Sequence, residues 1–224
     1  NSSRAASGRR RRVPARSAEE VLRDATGRTR ALRDALALPG VGREVAAIGA
    51  IAGGAGDAPA RQLLDASFTV QGFQRAAESG RYAIIHVASH GVFGGSADAS
   101  YILAYDDLLT LDGLQALLRS DPFRRNPVEL LSLSACETAE GDERSPLGMS
   151  GAALKARAKA VMGALWPVAD EAAVELMQRF YDGLLRGQAG KAEALQQAQL
   201  ALLRAPGTAH PFFWAPFILI GNWH

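Results

Sequence analysis

Continuous apolar runs and helical periodicities alternate along this chain. Residues 82–88 are apolar apart from His86, a pattern typical of a strand buried on both faces of a sheet. Residues 128–134 predict a second strong strand, which leads into Cys136. Weaker strand patterns lie at residues 62–68, 101–105, 159–166 and 214–220.

Between these strands, apolar residues recur every three or four positions, as they do on one face of a helix. In the helix predicted for residues 42–51, Val45, Ile48 and Ala52 are expected to share the buried face. Strands that alternate with helices imply an α/β fold, a three-layer α/β/α sandwich around a mostly parallel sheet. Helices are predicted over residues 18–38, 42–51, 70–78, within 108–118, and over 146–158, 171–186 and 191–203.

Positive charge is concentrated at the start of the chain. The net charge is +2, but residues 1–16 contain six arginines and no acid, so the remainder carries about −4. Such a tail suits nucleic acid or an acidic surface, yet no aromatic residue lies among the arginines, which argues against specific nucleic-acid binding. We interpret residues 1–16 as a disordered basic tail, 17–38 as a helical linker and 39–224 as the folded domain.

The single cysteine bounds the compartment and the redox chemistry. One cysteine excludes an internal disulfide framework and fits a reducing compartment, so a cytoplasmic location is predicted. No run of 18 apolar residues occurs, so no membrane span is predicted. The sequence contains neither His-Glu-x-x-His nor paired cysteines, so no metal or other cofactor is predicted.

Two strand ends carry the most reactive side chains. One predicted strand ends in His90 and Gly91, and the other ends at Cys136. Ligands bind outside the carboxyl ends of strands in such sheets, so these residues would face one crevice if the two strands are neighbours. The imidazole could then take the thiol proton or stabilise the thiolate. Backbone N–H groups at Gly91 and Cys136 would hold an oxyanion.

Four motifs follow one another in an order that is far more specific than any one of them. They are ASHGVF at 88–93, LSLSACETAEG at 131–141, LWPVAD at 165–170 and HPFFWAPFILIG at 210–221. Together they resemble the CHAT family, caspase-like cysteine peptidases of clan CD. The resemblance runs from about Leu38 to Trp223, so the folded domain is interpreted as a caspase-like CHAT domain. It implies that His90 and Cys136 are the catalytic residues.

The resemblance also implies an activity and a setting. Family members are commonly attached to helical repeats and act in regulated bacterial proteolysis or cell death. A cysteine endopeptidase that cleaves protein substrates through an acyl-enzyme is therefore expected, with a regulatory helical-repeat domain or partner chain. The alternative is a non-catalytic caspase-like scaffold or signalling module. This chain departs from the family where the helix after the cysteine ends, because Arg157 stands where a left-handed glycine would be comfortable.

Four further residues are candidates for the substrate pocket. Asp170 matches an acidic position of the family and would line the pocket for the P1 side chain, but an N-cap is an equally good interpretation. Trp166 forms either a pocket wall or part of the core. Glu137 directly follows the cysteine and either orients the loop or the histidine, or is a capping or solvated acid. Asp142 is a candidate pocket acid in a polar loop.

Two other residues allow different interpretations. Ser150 lies in GMSGA, which nearly matches the nucleophile elbow G-x-S-x-G, but this segment follows a polar loop rather than a strand. A serine hydrolase is therefore a third and weaker possibility. His86 would share a face with His90 if the strand continued, because side chains alternate along a strand. We interpret His86 as structural.

Overall fold

In the computed structural model, the predicted main sheet forms with the strand order β1-β5-β7-β8. β1, β5 and β7 run parallel, and β8 pairs antiparallel with β7 at the edge. The mostly parallel sheet and the α/β class are therefore confirmed. The strands are β1 (Ile84–Val87), β5 (Leu130–Leu133), β7 (Ala160–Ala164) and β8 (Phe217–Gly221).

The structure describes residues 38–55, 60–79, 82–93, 100–134, 137–138, 157–166, 168 and 170–224. These residues belong to one folded unit, Leu36–His224. The tail at 1–16 and nearly all of the linker at 17–38 lie outside them, so the division of the chain into tail, linker and domain stays a prediction. Among the helices of these ranges, none combines the length and apolar composition of a membrane span.

Helices cover both faces of the main sheet, as expected for a three-layer sandwich. We call the two sides the α3 face, which α2, α3 and α4 cover, and the α5 face, which α1, α5 and α6 cover. The helices are α1 (Pro39–Gly53), α2 (Val70–Ser79), α3 (Leu111–Leu118), α4 (Asp121–Arg125), α5 (Asp170–Leu185) and α6 (Lys191–Arg204).

The strand residues alternate between these faces with a period of two. On the α3 face, the buried strand residues are all apolar: Ile85, Val87, Leu131, Leu133 and Val161. On the α5 face, Leu130, Ala160 and Met162 pack against the helices, and Ser132 is fully buried beside them. All four residues of β5 are buried because each of its faces is covered.

A smaller sheet continues the chain beyond the carboxyl ends of β1 and β5. Its strand order is β4-β3-β2-β6, with β2 antiparallel to β3 and parallel to β6. The sequence pattern indicated only the hairpin around residues 101–105 of this sheet. The strands are β2 (Gly91–Phe93), β3 (Tyr101–Leu103), β4 (Leu108–Thr110) and β6 (Glu137–Thr138).

Local sequence explains most of the boundaries. Thr110 ends β4 and caps α3, because its side chain accepts a hydrogen bond from the Gly113 N–H at 3.1 Å. The strand predicted at 62–68 is wrong: Asp65–Ser67 is a short 3-10 helix, with Asp65 at a φ of 47°. Arg157 has a φ of 81°, so an arginine does adopt the left-handed conformation at the position where glycine would be comfortable.

The buried face of α1 also differs from its prediction. Gly40, Glu44 and Ile51 are the buried residues of this helix, whereas Val45 is only half-buried. The inward stripe is therefore turned by one residue relative to the face predicted from Val45 and Ala52. A carboxylate at Glu44 consequently points into the protein, where it needs a partner.

Candidate functional site

His90 lies in the short link between β1 and β2, at the carboxyl end of the main sheet. It is half-buried, and its backbone carbonyl accepts a hydrogen bond from the Leu103 N–H at 2.8 Å. The preceding residue, Ser89, donates its hydroxyl to the Leu103 carbonyl at 2.6 Å. Strand β3 therefore holds the backbone on both sides of the His90 α-carbon.

Gly91 begins β2, and the register gives its N–H a direction. Gly91 pairs with Ile102, next to the hydrogen-bonded positions His90 and Leu103. Hydrogen-bonded and non-hydrogen-bonded pairs alternate along an antiparallel ladder, so the Gly91 N–H points away from β3. It is directed towards the other neighbour of β2, which is β6.

The chain segments that lead out of β1 and β5 are paired twice. In the main sheet Val87 pairs with Leu133, and in the small sheet Val92 pairs with Glu137. Both pairings are parallel, and the Ser134 N–H donates to the Val87 carbonyl at 3.0 Å between them. The described residues on either side of positions 135 and 136 therefore lie beside the chain that carries His90.

Several predicted site residues lie outside the described residues. These are Cys136 and Asp142, together with Ser150 and most of the helix predicted at 146–158. Glu137 is described through its backbone, which forms β6 with Thr138. The roles predicted for these side chains stay predictions.

Trp166 follows β7 by two residues at the same edge of the sheet. Its ring is partly exposed, and its Nε1–H donates a hydrogen bond to the Phe212 carbonyl at 3.1 Å. The Phe212 ring is 46% exposed and packs edge-on against Phe213, with ring centroids 5.6 Å apart. Aromatic rings therefore lie beside the carboxyl end of β7, the strand next to β5.

Asp170 is the first residue of α5 and contacts another helix. Its Oδ2 accepts a hydrogen bond from the Gly40 N–H at 3.1 Å, in the first turn of α1. A β-carbon at Gly40 would meet the Asp170 β-carbon at 3.0 Å, so the close approach favours glycine. A carboxylate at a helix N-terminus is electrostatically favourable. Asp170 thus joins the starts of α1 and α5.

A buried polar cluster, which we call the network, lies on the α5 face. His86 Nδ1 is 3.1 Å from the Tyr181 hydroxyl, and His86 Nε2 is 2.9 Å from Oε1 of Glu44. The latter distance suits an ion pair, although the two atoms are not aligned for a hydrogen bond and have no hydrogen-bond partner among the described residues. The Ser132 hydroxyl hydrogen-bonds to Tyr181. We define the network as Glu44, His86, Ser132 and Tyr181.

Burial decides the protonation state of one member of the network. Burial of Tyr181 raises the pKa of its hydroxyl far above the usual range, and the Glu44 charge adds to this increase. The hydrogen bond from Ser132 lowers the same pKa by a smaller amount. Tyr181 therefore keeps its proton, and its hydroxyl lies within hydrogen-bonding distance of His86 Nδ1.

His86 was interpreted as structural from the sequence, but its neighbours Glu44 and Tyr181 were not predicted. Glu44 could have been found, because it lies on the helical stripe of Gly40, Ile48 and Ile51. An acid on such a stripe must find a buried partner. Tyr181 recurs with Met177 and Leu185 at four-residue intervals in the helix predicted at 171–186. Nothing in this local pattern distinguishes a hydrogen-bonded tyrosine from a packed one.

The described residues contain no group of three or more His, Cys, Asp or Glu side chains arranged to hold a metal ion.

Comparisons with known proteins show the family to which this chain belongs. The sequence profile described as "CHAT domain" matches residues 1–222. Tetratricopeptide repeat protein 28 of Mus musculus is 34% identical over 100 residues, 44% of this chain and 4% of that protein. The human protein of the same name is 32% identical over 98 residues, 43% of this chain and 4% of its own length. The aligned segments thus span only a small part of these relatives.

Proposed function

We propose that this chain, which belongs to the CHAT domain family, is a cysteine endopeptidase. The family is caspase-like and peptidase-related. In this proposal Cys136 attacks the scissile carbonyl carbon through its sulfur, and His90 takes the thiol proton. His90 then gives the proton to the leaving amine, and water hydrolyses the acyl-enzyme. The substrate is a protein, and the chemistry needs no cofactor.

The double pairing of the two strand ends is the observation that carries this proposal. If β5 continued in the register of Val87 and Leu133, position 136 would lie opposite His90. If β6 began earlier in the register of Val92 and Glu137, position 136 would lie opposite Gly91. Adjacent strands are about 4.8 Å apart and successive residues about 3.3 Å, so either register would keep the cysteine backbone close to His90.

The direction of the Gly91 N–H supports an oxyanion site. It points towards the side on which β6 runs, which would be the side of residue 136 in either register. Together with the Cys136 N–H, it would stabilise the charge that develops on the carbonyl oxygen. Gly91 has no side chain, so a substrate backbone can approach it closely.

We propose that the substrate pocket lies on the β7 side of the cysteine. Trp166 is held there by the Phe212 carbonyl and would form a wall of the pocket. Asp170, tied to Gly40, would provide negative charge at the same edge. Asp142 and Glu137 are the remaining proposed pocket residues. A basic or an apolar P1 side chain remains compatible with this set.

We also propose a helical-repeat domain or partner chain as regulator, because both relatives are named as tetratricopeptide repeat proteins. These relatives are eukaryotic, so the bacterial setting and the cytoplasmic location stay predictions.

The decisive experiment is cleavage of a peptide library by the full chain and by Cys136→Ala and His90→Ala variants. Either substitution should lower kcat/KM by more than about a thousandfold, as for catalytic residues that act as a unit. Ser150→Ala and Thr208→Val serve as controls and should cleave like the parent. Parental activity in both the Cys136 and the His90 variants would overturn the assignment.

The alternative is a non-catalytic scaffold or signalling module with the same fold, which the names of the relatives favour because they describe a repeat protein rather than a peptidase. Labelling separates the two functions, since the chain has one cysteine. A catalytic Cys136 should react with a peptidyl electrophile in a His90-dependent way. A thiol in a scaffold should react at a rate that His90→Ala does not change.

A further inference from the structure

We propose that the network of Glu44, His86, Ser132 and Tyr181 is a positioning device for the His90/Cys136 pair, holding β1 and β5 in the alignment that the chemistry requires. This proposal rests on the proposed function, and its members touch neither the substrate nor the reacting atoms.

The register of the two strands is the first support. His86 and Ser132 are direct partners across the β1/β5 pair. His90 follows His86 by four residues, and Cys136 follows Ser132 by four residues. A displacement of one strand relative to the other would therefore appear equally at the network and at the strand ends. Such parallel strands exchange only backbone hydrogen bonds, which a shifted register would also satisfy.

The network spans every layer on the α5 face. Glu44 belongs to α1, His86 to β1, Ser132 to β5 and Tyr181 to α5. The side chains of Glu44 and His86 are 4% and 9% exposed, so their contact is well shielded from water. A slip of either strand would separate a buried hydrogen bond or a buried ion pair, which costs far more than sliding one apolar side chain past another.

Each polar side chain of the network contacts the next. Ser132 contacts the Tyr181 hydroxyl, which lies 3.1 Å from His86 Nδ1, and His86 Nε2 lies 2.9 Å from Oε1 of Glu44. Only the native alignment of β1 and β5 provides this sequence of contacts. Ser134, two residues beyond Ser132, is buried and its hydroxyl has no hydrogen-bond partner among the described residues. The network therefore reaches the strand ends through the backbone rather than through a continuous proton relay.

Stability alone does not explain these residues. Apolar side chains of similar volume in place of a buried ion pair are often neutral or stabilising. A buried pair instead favours one arrangement over its competitors, which is the property that a reacting pair of side chains requires.

The test uses Tyr181→Phe and Glu44→Gln in the full chain. Tyr181→Phe removes one hydroxyl and leaves the ring, and Glu44→Gln retains an oxygen acceptor. Thr208→Val is the matched control, because it removes one hydrogen bond, from the Thr208 hydroxyl to the Leu202 carbonyl at 2.8 Å, in the segment after α6 and outside β1 and β5. Comparable melting temperatures among these variants establish that all are folded at the assay temperature.

Two readouts separate positioning from simple stability. For a cleaved peptide, both network variants should lower kcat about tenfold to a hundredfold with little change in KM, whereas Thr208→Val should retain the parental kcat. Alkylation of the single cysteine by iodoacetamide should be measured against pH. The midpoint of this profile should move towards the value found for His90→Ala in the network variants and remain parental in the control.

The outcomes of the two proposals differ. If His90→Ala changes the alkylation profile while Tyr181→Phe and Glu44→Gln leave both the profile and kcat unchanged, the positioning proposal is overturned and the peptidase proposal stands. If His90→Ala changes neither cleavage nor alkylation, the proposed function fails, and the positioning role fails with it.

Discussion

The two faces of the main sheet are both buried but differ in the side chains that they bury. On the α3 face the strand residues are apolar throughout, and they meet apolar side chains of α2, α3 and α4. On the α5 face an apolar cluster surrounds four polar side chains that contact one another. Both faces are buried, so water does not account for the difference.

The comparison teaches that burial and alignment are separable tasks. Apolar packing stabilises in proportion to the area removed from water and tolerates small shifts. Buried hydrogen bonds stabilise little in net terms but strongly penalise any arrangement that leaves a group unpaired. The α3 face therefore supplies stability, and the α5 face favours one alignment of β1 and β5.

The largest expected effect comes from removing one side chain of the buried Glu44–His86 contact. His86→Leu leaves Glu44 buried and uncompensated, so the free energy of unfolding should fall by about 3 to 5 kcal/mol. The same loss is expected for Glu44→Met. The double variant should be more stable than either single variant, because no buried charge remains. Urea unfolding of all four proteins measures this, and losses that simply add would contradict the pairing of Glu44 with His86.

A neighbouring pair of substitutions in β5 compares the two faces directly. Leu131→Ala, on the α3 face, should lower the free energy of unfolding by about 2 to 5 kcal/mol through the cavity it leaves. Ser132→Ala, on the α5 face, should cost only about 1 kcal/mol.

The order should reverse for kcat of peptide cleavage, with Ser132→Ala the slower enzyme. Chemical denaturation and steady-state kinetics on the same preparations check both orders. A kcat that follows stability in both variants would remove the distinction between the faces.

Alkaline pH should weaken the α5 face selectively. Burial holds the pKa of Tyr181 above that of an unfolded tyrosine, near 10, so the folded chain retains a proton that the unfolded chain releases. Above about pH 10 the free energy of unfolding should therefore fall with rising pH, by about 1.4 kcal/mol per pH unit from this group. Below that pH the contribution is fully present.

Unfolding measured between pH 8 and 11.5 should show a shallower decline for Tyr181→Phe than for the parent. Tyr105→Phe is the control, because Tyr105 is 50% exposed. Equal slopes in the parent and in Tyr181→Phe would argue against a buried, protonated Tyr181.

The smallest effect is expected where the sheet meets solvent at its other end. Lys159 Nζ lies 2.5 Å from Oε1 of Glu129, between the starts of β5 and β7, with side chains 44% and 41% exposed. Glu129→Gln should change the free energy of unfolding by less than about 1 kcal/mol, since solvent screens exposed pairs. Thermal unfolding at low and at 1 M salt should show the difference vanish as salt is added. Any change in the Cys136 alkylation profile would show that this end of the strands is also coupled to the site.

Much of the fold was predictable because local patterns report burial. The apolar runs at 82–88 and 128–134 became β1 and β5, and the helix predicted at 171–186 became α5. The candidate histidine was predictable too, since strand ends in a parallel sheet form crevices. The 3-10 helix at Asp65–Ser67 was missed, because the apolar residues around it resemble a short strand.

The partners of buried polar groups were not predictable from local pattern. His86 meets Tyr181 across 95 residues of sequence. The small sheet was not predictable from local pattern either. β2 and β6 have only three and two residues, and their pairing depends on β1 and β5 being neighbours.

The sequence by itself determined the strands β1 and β5, the helix α5 and the residues that carry reactive side chains. Periodicity along the chain is a local property, and burial follows from it. Only the tertiary structure decided that β1 and β5 are neighbours, that their extensions pair again beyond His90, and that Glu44 faces His86. These contacts join residues far apart in sequence, so they depend on how the layers pack and on no local pattern.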